Sequence, residues 1–392
     1  MDAYEFGITD FQYVAAGAAV LASGGGGSYE DALGILEEIG DWTGTVTVQA
    51  YDGKTPCCVL AVMGSPDAAE SMTLTDIECS SVNTLGLFQS ATGYELGCLI
   101  PVEVGPINSL VPLIAAAMTG MWVVDGDGAG RAVPELPQTT YSGSANLLAA
   151  PSVLANDANI DVEPEAVQAT TLYATTASQI ETLAGGALSA FGSFAGIALW
   201  PSNESNSYAL TGNYVAGTLS QARALGEYLM TASSAPTTAE VAQQITNITG
   251  RAADAVVTNF YITAVTQATT SASLDTGVIR LDNTQDPSQS TETHFIYNLN
   301  ENLIMYSSLS GTPDVIAPDS ICYYSESTGR GFSNAADDLA PYFDEHTGES
   351  TGKTVSVIKV QTAPQLYQAE GVVESFAGLL RNIGYAGRMP GN

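Results

Sequence analysis

Residues 102–140 read VEVGPINSLVPLIAAAMTGMWVVDGDGAGRAVPELPQTT, and their pattern decides the fold. Leu99 to Val104 is an apolar run of strand length. Asn108 to Thr119 is long and apolar enough for a buried helix, and Gly120 stands where a C-cap glycine belongs. Met121 to Val124 is a second short strand, leading into Asp125-Gly126-Asp127-Gly128. Such a strand-helix-strand unit is right-handed by strong preference when its strands are parallel. Ligands gather beyond the carboxyl ends of the strands in sheets of this kind. Glu103 and Asn108 fall at one such end, and Asp125, Asp127, Arg131 and Glu135 at the next. The site is expected there.

Working outward, Thr9 or Asp10 is expected to cap a helix through about Ala22, with Phe11, Val14, Ala18 and Leu21 on one face. Gly24, Gly25, Gly26 and Gly27 follow, and Ser28-Tyr29-Glu30-Asp31 opens a second helix with a capping-box-like pattern. A glycine run feeding a helix N-terminus offers backbone amides to an anion or a substrate carbonyl. It equally suits a turn needing positive φ and close backbone packing. Glu30 and Asp31 already complement the helix dipole, which argues against a strongly charged anion.

Thr45–Tyr51 alternates as a strand, and Pro56–Met63 is a buried one ending in a Gly64-Ser65-Pro66 turn that borders the cleft. A helix is expected around Asp76–Gln89, a loop-rich stretch after Pro137 to Glu163, and helices over Gln179–Ala195, Ser220–Met230 and Thr238–Thr249. From Arg251 the character changes. Val256–Val265, Gly277–Asp282, His294–Asn298, Leu303–Tyr306, Ser320–Tyr324 and Thr354–Val360 are short β runs between turns, closed by a helix from Gln365 to about Ile383. The expected class is α/β. Residues 1–250 form a partly parallel sheet with flanking helices, and residues 251–392 form a β-rich domain to which no chemistry is assigned.

The composition narrows the function. The net charge is −32, from 42 acids against 10 bases, so nucleic acid and anionic membranes are disfavoured as partners. Charged residues are only 13% of the chain, about half the ordinary share of ~25%. Serine, threonine, asparagine and glutamine replace lysine, which suits a salt-adapted or extracellular surface; a surface whose carboxylates bind cations, between subunits for example, is the competing explanation. MDAYEFGITD has neither a basic region nor an apolar core, so no signal peptide is expected and the compartment points to cytoplasm. The composition points outward, to an extracellular or surface setting. No apolar run of spanning length occurs. Five cysteines, without a CxxC, and two separated histidines supply neither a disulfide framework nor a Cys/His zinc set. Buried free thiols are expected, with Cys57 and Cys58 on opposite faces of one strand.

Two carboxylates placed like Asp125 and Asp127 can share a divalent cation, or divide the work of orienting substrate and moving a proton. No residue pattern identifies a cofactor. Arg131, one of seven arginines, can pair Glu135 or hold a polarised substrate oxygen. A salt-bridged structural turn, with Asp125 capping amides, would use the same residues.

Asp125 to Glu135, DGDGAGRAVPE, resembles the DGDGMGRAFPE motif of the S-methyl thiohydantoin desulfurase family, a hydantoinase-like group. Glu103 to Leu110 resembles its EIGGLNSL, and Leu21 to Gly27 its LGTGGGG; Asn300 to Ile304 and Pro313 to Ile316 match later stretches in the same order. The resemblance covers nearly the whole chain. It implies a hydantoin-like cyclic amide bound by Gly24–Gly27, Glu103 and Asn108, and hydrolytic replacement of an S-methyl group. Asp127 or Asp125 would activate water while Arg131 and Asn108 steady the developing charge. This chain departs from the family pattern at Ser28, where Asp is usual, and at Tyr141-Ser142, where His is common. Those departures, with the lysine-poor surface, support a different expectation: a non-catalytic, self-assembling surface or filament protein. A homo-oligomer is expected in either case, and a polymer in the second. A binding protein without turnover is the third alternative.

Overall fold

The computed structural model describes residues 3–64, 72–269 and 275–389. The Ser65-Pro66 part of the expected turn lies outside them. The chain builds two sheets. The first has eight strands in the order Tyr4–Phe6, Val46–Gln49, Trp122–Val124, Cys98–Pro101, Cys57–Gly64, Phe194–Ser202, Ser152–Ala155, Ala169–Leu172. The four from Val46–Gln49 to Cys57–Gly64 run parallel, and the outer strands pair antiparallel. The central unit forms as expected: helix Leu110–Thr119 links the parallel neighbours Cys98–Pro101 and Trp122–Val124 and ends at Gly120, which holds φ 74°. That left-handed value is open to glycine without a Cβ penalty.

Helix Ile8–Leu21 is buried along most of its length because its face is alanine and glycine. Gly17 meets the backbone of Ala222, and Gly226 in helix Thr218–Thr231 meets the backbone of Tyr13, so any side chain at either position would hold the two helices apart. Its N-cap is Gly7 rather than Thr9 or Asp10. Asp10 instead sits three residues in, where its carboxylate accepts the Gly7 N–H at 2.9 Å. Cys58 joins the core on one side of the first sheet and Cys57 the core on the other, and all five cysteines are free.

The second sheet is antiparallel throughout, in the order Pro313–Ile316, Glu301–Ser307, Thr293–Leu299, Asp275–Asp282, Ala253–Thr269, Val355–Val360, Ser320–Tyr324. Register shifts fall between Ala255 and Val257 and between Val257 and Phe260, the second spanning Asn259 with φ 59°, and such bulges let the long strand Ala253–Thr269 bend while pairing on both sides. The architecture is α/β, a mixed sheet with flanking helices followed by a curled antiparallel β-rich region.

Three expectations change. Helix Ala177–Leu188 stops short of Ala195, and Phe194–Ser202 is a strand in the middle of the first sheet. Its sequence, FAGIALWPS, lacks alternation because both faces are covered. The loop-rich stretch before Glu163 contains strand Ser152–Ala155, all four residues buried. The closing helix is two helices, Pro364–Gln368 and Val372–Asn382, divided at Gly371 with φ 76°. No helix among the described residues is long and apolar enough to cross a membrane.

Candidate functional site

A cavity of about 200 Å³ opens where the ends of both sheets meet the glycine run. Gly24 to Gly27 form one wall, with Gly24, Gly26 and Gly27 at φ 83°, 72° and 98°. The run is closely packed as well as exposed to the cavity. Gly26 lies against the backbone of Gly105, Gly25 against the Glu301 side chain, and a Cβ on Gly27 would stand 2.5 Å from Ile107. The Gly26 carbonyl accepts the N–H groups of Ile107 and Asn108 at 3.1 and 3.2 Å, which fixes the start of the central helix against the loop.

The helix that follows offers no free amides. Asp338 accepts the N–H groups of Tyr29 and Glu30, each at 3.0 Å, and the Ser28 hydroxyl accepts that of Asp31 at 3.1 Å. An internal carboxylate therefore already occupies the positive end of that dipole.

Glu103 follows strand Cys98–Pro101 and lines the cavity with only 5% of its surface exposed. One of its oxygens accepts the Val133 N–H at 2.7 Å, and the other accepts from Asn108 Nδ2 at 2.9 Å. Asn108 lines the cavity too, and its Oδ1 faces the Val62 N–H at 3.4 Å. Burial raises the Glu103 pKa to about 7 against those hydrogen bonds, the nearby Asp127 raises it further, and Arg131 lowers it.

The facing carboxyl belongs to Glu301, from the second sheet. It is 4% exposed, its Oε2 has no hydrogen-bond partner among the described residues, and it lines the same cavity. Burial and the Glu103 carboxylate push its pKa well above the usual range, while Arg131 and the Gly26 amide draw it down. Two buried carboxyl groups whose surroundings push both pKa values up can divide the work of acid and base.

Glu135 also lines the cavity, and burial raises its pKa. Beside it stands Glu181 of helix Ala177–Leu188, which accepts the Leu136 N–H at 2.9 Å; burial first and Glu135 second raise its pKa to about 7. At the mouth are Asp31 and the exposed Asp337, and burial with the Asp337 charge lifts Asp31 to about 6.

Asp125, Asp127 and Arg131 are buried behind the cavity wall and do not line it. Asp125 accepts the Ser220 N–H and hydroxyl at 3.0 and 2.7 Å, so it caps helix Thr218–Thr231. Asp127 accepts the N–H groups of Ala129 and Gly130 at 2.5 and 2.6 Å; burial raises its pKa to about 6, and Thr218, those amides and Arg251 oppose the shift. Arg131 donates to the carbonyls of Ala132, Asn302, Pro318 and Asp319 at 2.8 to 3.2 Å and lies over the Phe376 ring. It ties the motif loop to the second sheet beside Glu301. No salt bridge joins Arg131 to Glu135 among the described residues.

The expected cluster is therefore divided. Gly24–Gly27, Glu103, Asn108 and Glu135 meet at the cavity, and the other three members support it from behind. Tyr141, standing where the family pattern has His, is buried and donates its hydroxyl to the Pro101 carbonyl at 2.7 Å. His294 lies in the second sheet between Glu292 and Asp314, away from the cavity lining. Glu301 is the buried lining carboxyl that sequence reasoning passed over. Its signal was present: an acid between two asparagines at the head of an otherwise apolar strand. Glu181 carried no such signal.

The N-terminal domain profile of the S-Me-THD-like family matches residues 9–163, and its C-terminal domain profile matches residues 175–374. A crystal structure of a protein from Chromobacterium violaceum superposes with a TM-score of 0.79 at 25% identity, covering 98% of this chain and 99% of that one. No curated protein matches the chain.

Proposed function

This chain belongs to the S-methyl thiohydantoin desulfurase-like family, and from that premise we propose that it is a hydrolase of hydantoin-like five-membered cyclic amides. The reaction replaces a ring S-methyl group with oxygen. The observation that carries this reading is the pair of buried carboxyl groups, Glu103 and Glu301, in one small cavity with Asn108 and the glycine run.

Glu103, with a pKa raised to about 7, is the base. It takes a proton from water as the water oxygen bonds to the ring carbon that bears sulfur, and the C=N electron pair moves to the ring nitrogen. That nitrogen then takes up a proton. Asn108 holds the Glu103 carboxylate toward the cavity rather than toward solvent. Glu301, held protonated by burial and by the Glu103 charge, is the acid. It protonates the sulfur as the C–S bond breaks, and methanethiol leaves. The added hydroxyl becomes the ring carbonyl and passes its proton to Glu103, which has given its first proton to the ring nitrogen; the proton on Glu103 then returns to Glu301. Arg131 is a positioning residue: through the Asn302 carbonyl and its own charge it holds the strand that presents Glu301.

The test is release of thiol from an S-methyl thiohydantoin, followed with a thiol reagent from pH 5 to 9. Activity should rise with pH through about 7 as Glu103 loses its proton, and Glu103→Gln should remove that limb together with most of kcat. Thiol release from Glu103→Gln at the wild-type rate would refute the assignment.

A second reading, self-assembly, rests on the edges of the first sheet. Among the described residues strands Tyr4–Phe6 and Ala169–Leu172 are both unpaired on their outer side, with Tyr4 46% and Tyr173 67% exposed nearby. Exposed strand edges are templates for pairing with another chain. Light scattering and negative-stain microscopy, with and without millimolar divalent cation, separate a discrete oligomer from a polymer.

A further inference from the structure

The charge of the cavity goes beyond what the proposed reaction requires. Six carboxyl side chains line it: Asp31, Glu103, Glu135, Glu181, Glu301 and Asp337. No lysine or arginine is among the lining residues. A hydantoin ring is neutral, and two acids suffice to hydrolyse it. The remaining four are surplus to that chemistry, and three of them, Asp31, Glu135 and Glu181, are partly buried at some cost in solvation. Glu301, only 4% exposed, lines the cavity, and its Oε2 has no hydrogen-bond partner among the described residues. Both observations leave polar groups for a ligand to satisfy.

We infer that the ligand of this cavity is positively charged, a cyclic amide bearing a guanidinium or ammonium substituent, with its ring at Glu103 and Glu301 and its charge at Asp31, Asp337 and Glu181. The ring rests on the proposed function; the charge is argued from the lining alone. A carboxylate-bearing ligand is excluded by repulsion, because nothing cationic lines the cavity to neutralise it. An organic cation suits the spacing better than a metal ion. Among the described residues no three His, Cys, Asp or Glu side chains group so as to hold one. The apolar lining, with Val62, Met63, Met72, Phe194 and Leu199, accommodates the methylene stem between ring and charge.

The experiment is a calorimetric titration of the intact chain with five probes: hydantoin; its 5-guanidinopropyl, 5-ureidopropyl and 5-carboxyethyl derivatives; and agmatine. The ureidopropyl compound is the neutral isostere of the guanidinopropyl one. At low salt the guanidinopropyl compound should bind at least tenfold tighter than the ureidopropyl one, and the carboxyethyl compound weakest. Added sodium chloride should shrink that ratio, since it screens exposed charges and leaves neutral contacts alone. The double variant Asp31→Asn/Asp337→Asn should also narrow it. The salt dependence tests the inference on unaltered protein should the variant fold poorly.

Equal affinity of the guanidinopropyl and ureidopropyl compounds overturns the inference while the cyclic amide reading stands. Agmatine binding with the same salt dependence, and no binding of any ring, sinks the cyclic amide reading and keeps the charge. Complete displacement of the guanidinopropyl compound by 1 mM calcium or magnesium assigns the acids to a metal and overturns the inference. Failure of all five probes to bind overturns it as well.

Discussion

The loop from Asp125 to Arg131 and the cavity around Glu103 and Glu301 differ in what their charged groups have left to do. In the loop, Asp125, Asp127 and Arg131 are engaged by backbone amides, carbonyls and Ser220, and the one Asp127 oxygen without a partner among the described residues, Oδ2, belongs to a side chain that does not line the cavity. In the cavity, Glu301 keeps an oxygen without a partner among the described residues, and Glu103 holds a pKa of about 7. The loop has the denser motif, and the cavity has the groups free to react. Glycines and charges crowded into one stretch mark a place where the backbone is heavily constrained. Reactivity is marked instead by a buried polar group that lines a cavity and whose surroundings do not satisfy it.

The largest effect that would break this comparison comes from swapping the two classes of lesion. Glu301→Gln replaces a protonated acid with an isosteric amide, so kcat should fall by about 10²–10⁴-fold. The melting temperature should stay within a few degrees of wild type. Arg131→Met should do the reverse, unfolding the chain at lower urea by about 3–5 kcal/mol, because four buried carbonyls lose their donor. If Arg131→Met instead keeps its stability and loses only kcat, the loop belongs to the chemistry and the division drawn above is wrong.

The pH dependence of stability is the next measure. Glu103 and Glu181 are raised to about 7, and Asp31 and Asp127 to about 6. The folded chain therefore binds more protons than the unfolded one between about pH 4.5 and 7. Stability is greatest below that window and falls as pH rises through it, levelling off above about 7. Glu103 alone should account for on the order of 3 kcal/mol of that decline. Urea midpoints measured across this range should fall with rising pH, and Glu103→Gln should flatten the decline. A midpoint that rises with pH would show that paired, not desolvated, carboxylates dominate.

The smallest effect is at the cap. Asp125→Asn keeps an acceptor for the Ser220 N–H and loses only charge at the helix terminus, a cost of about 0.5–1 kcal/mol. Thiol release should be unaffected by it. A much larger loss of activity at unchanged stability would move Asp125 into the site.

Local sequence was enough for the elements whose pattern matches their burial. The central helix and its Gly120 cap, the amphipathic helices Thr218–Thr231 and Thr238–Thr249, and most strands of the second sheet stand close to where periodicity places them. Strand Phe194–Ser202 was hidden because a strand covered on both faces does not alternate. Glu103 and Asn108 were legible as candidates from their place at a strand end. Glu181 was not, since a helix surface of this sequence shows many polar residues and nothing local separates the one that faces inward.

By itself the sequence determined the class of fold, the family, the acidic character and the two stretches, Gly24–Gly27 and Glu103–Asn108, that wall the cavity. These are local or compositional properties, set by periodicity, glycine conformation and charge count. Only the tertiary structure decided that Asp125, Asp127 and Arg131 support the wall from behind, that Asp338 fills the helix terminus, and that Glu301 faces Glu103. Burial and proximity between residues some two hundred positions apart set those roles, because desolvation and charge-charge coupling depend on distance in space and leave no trace in local order.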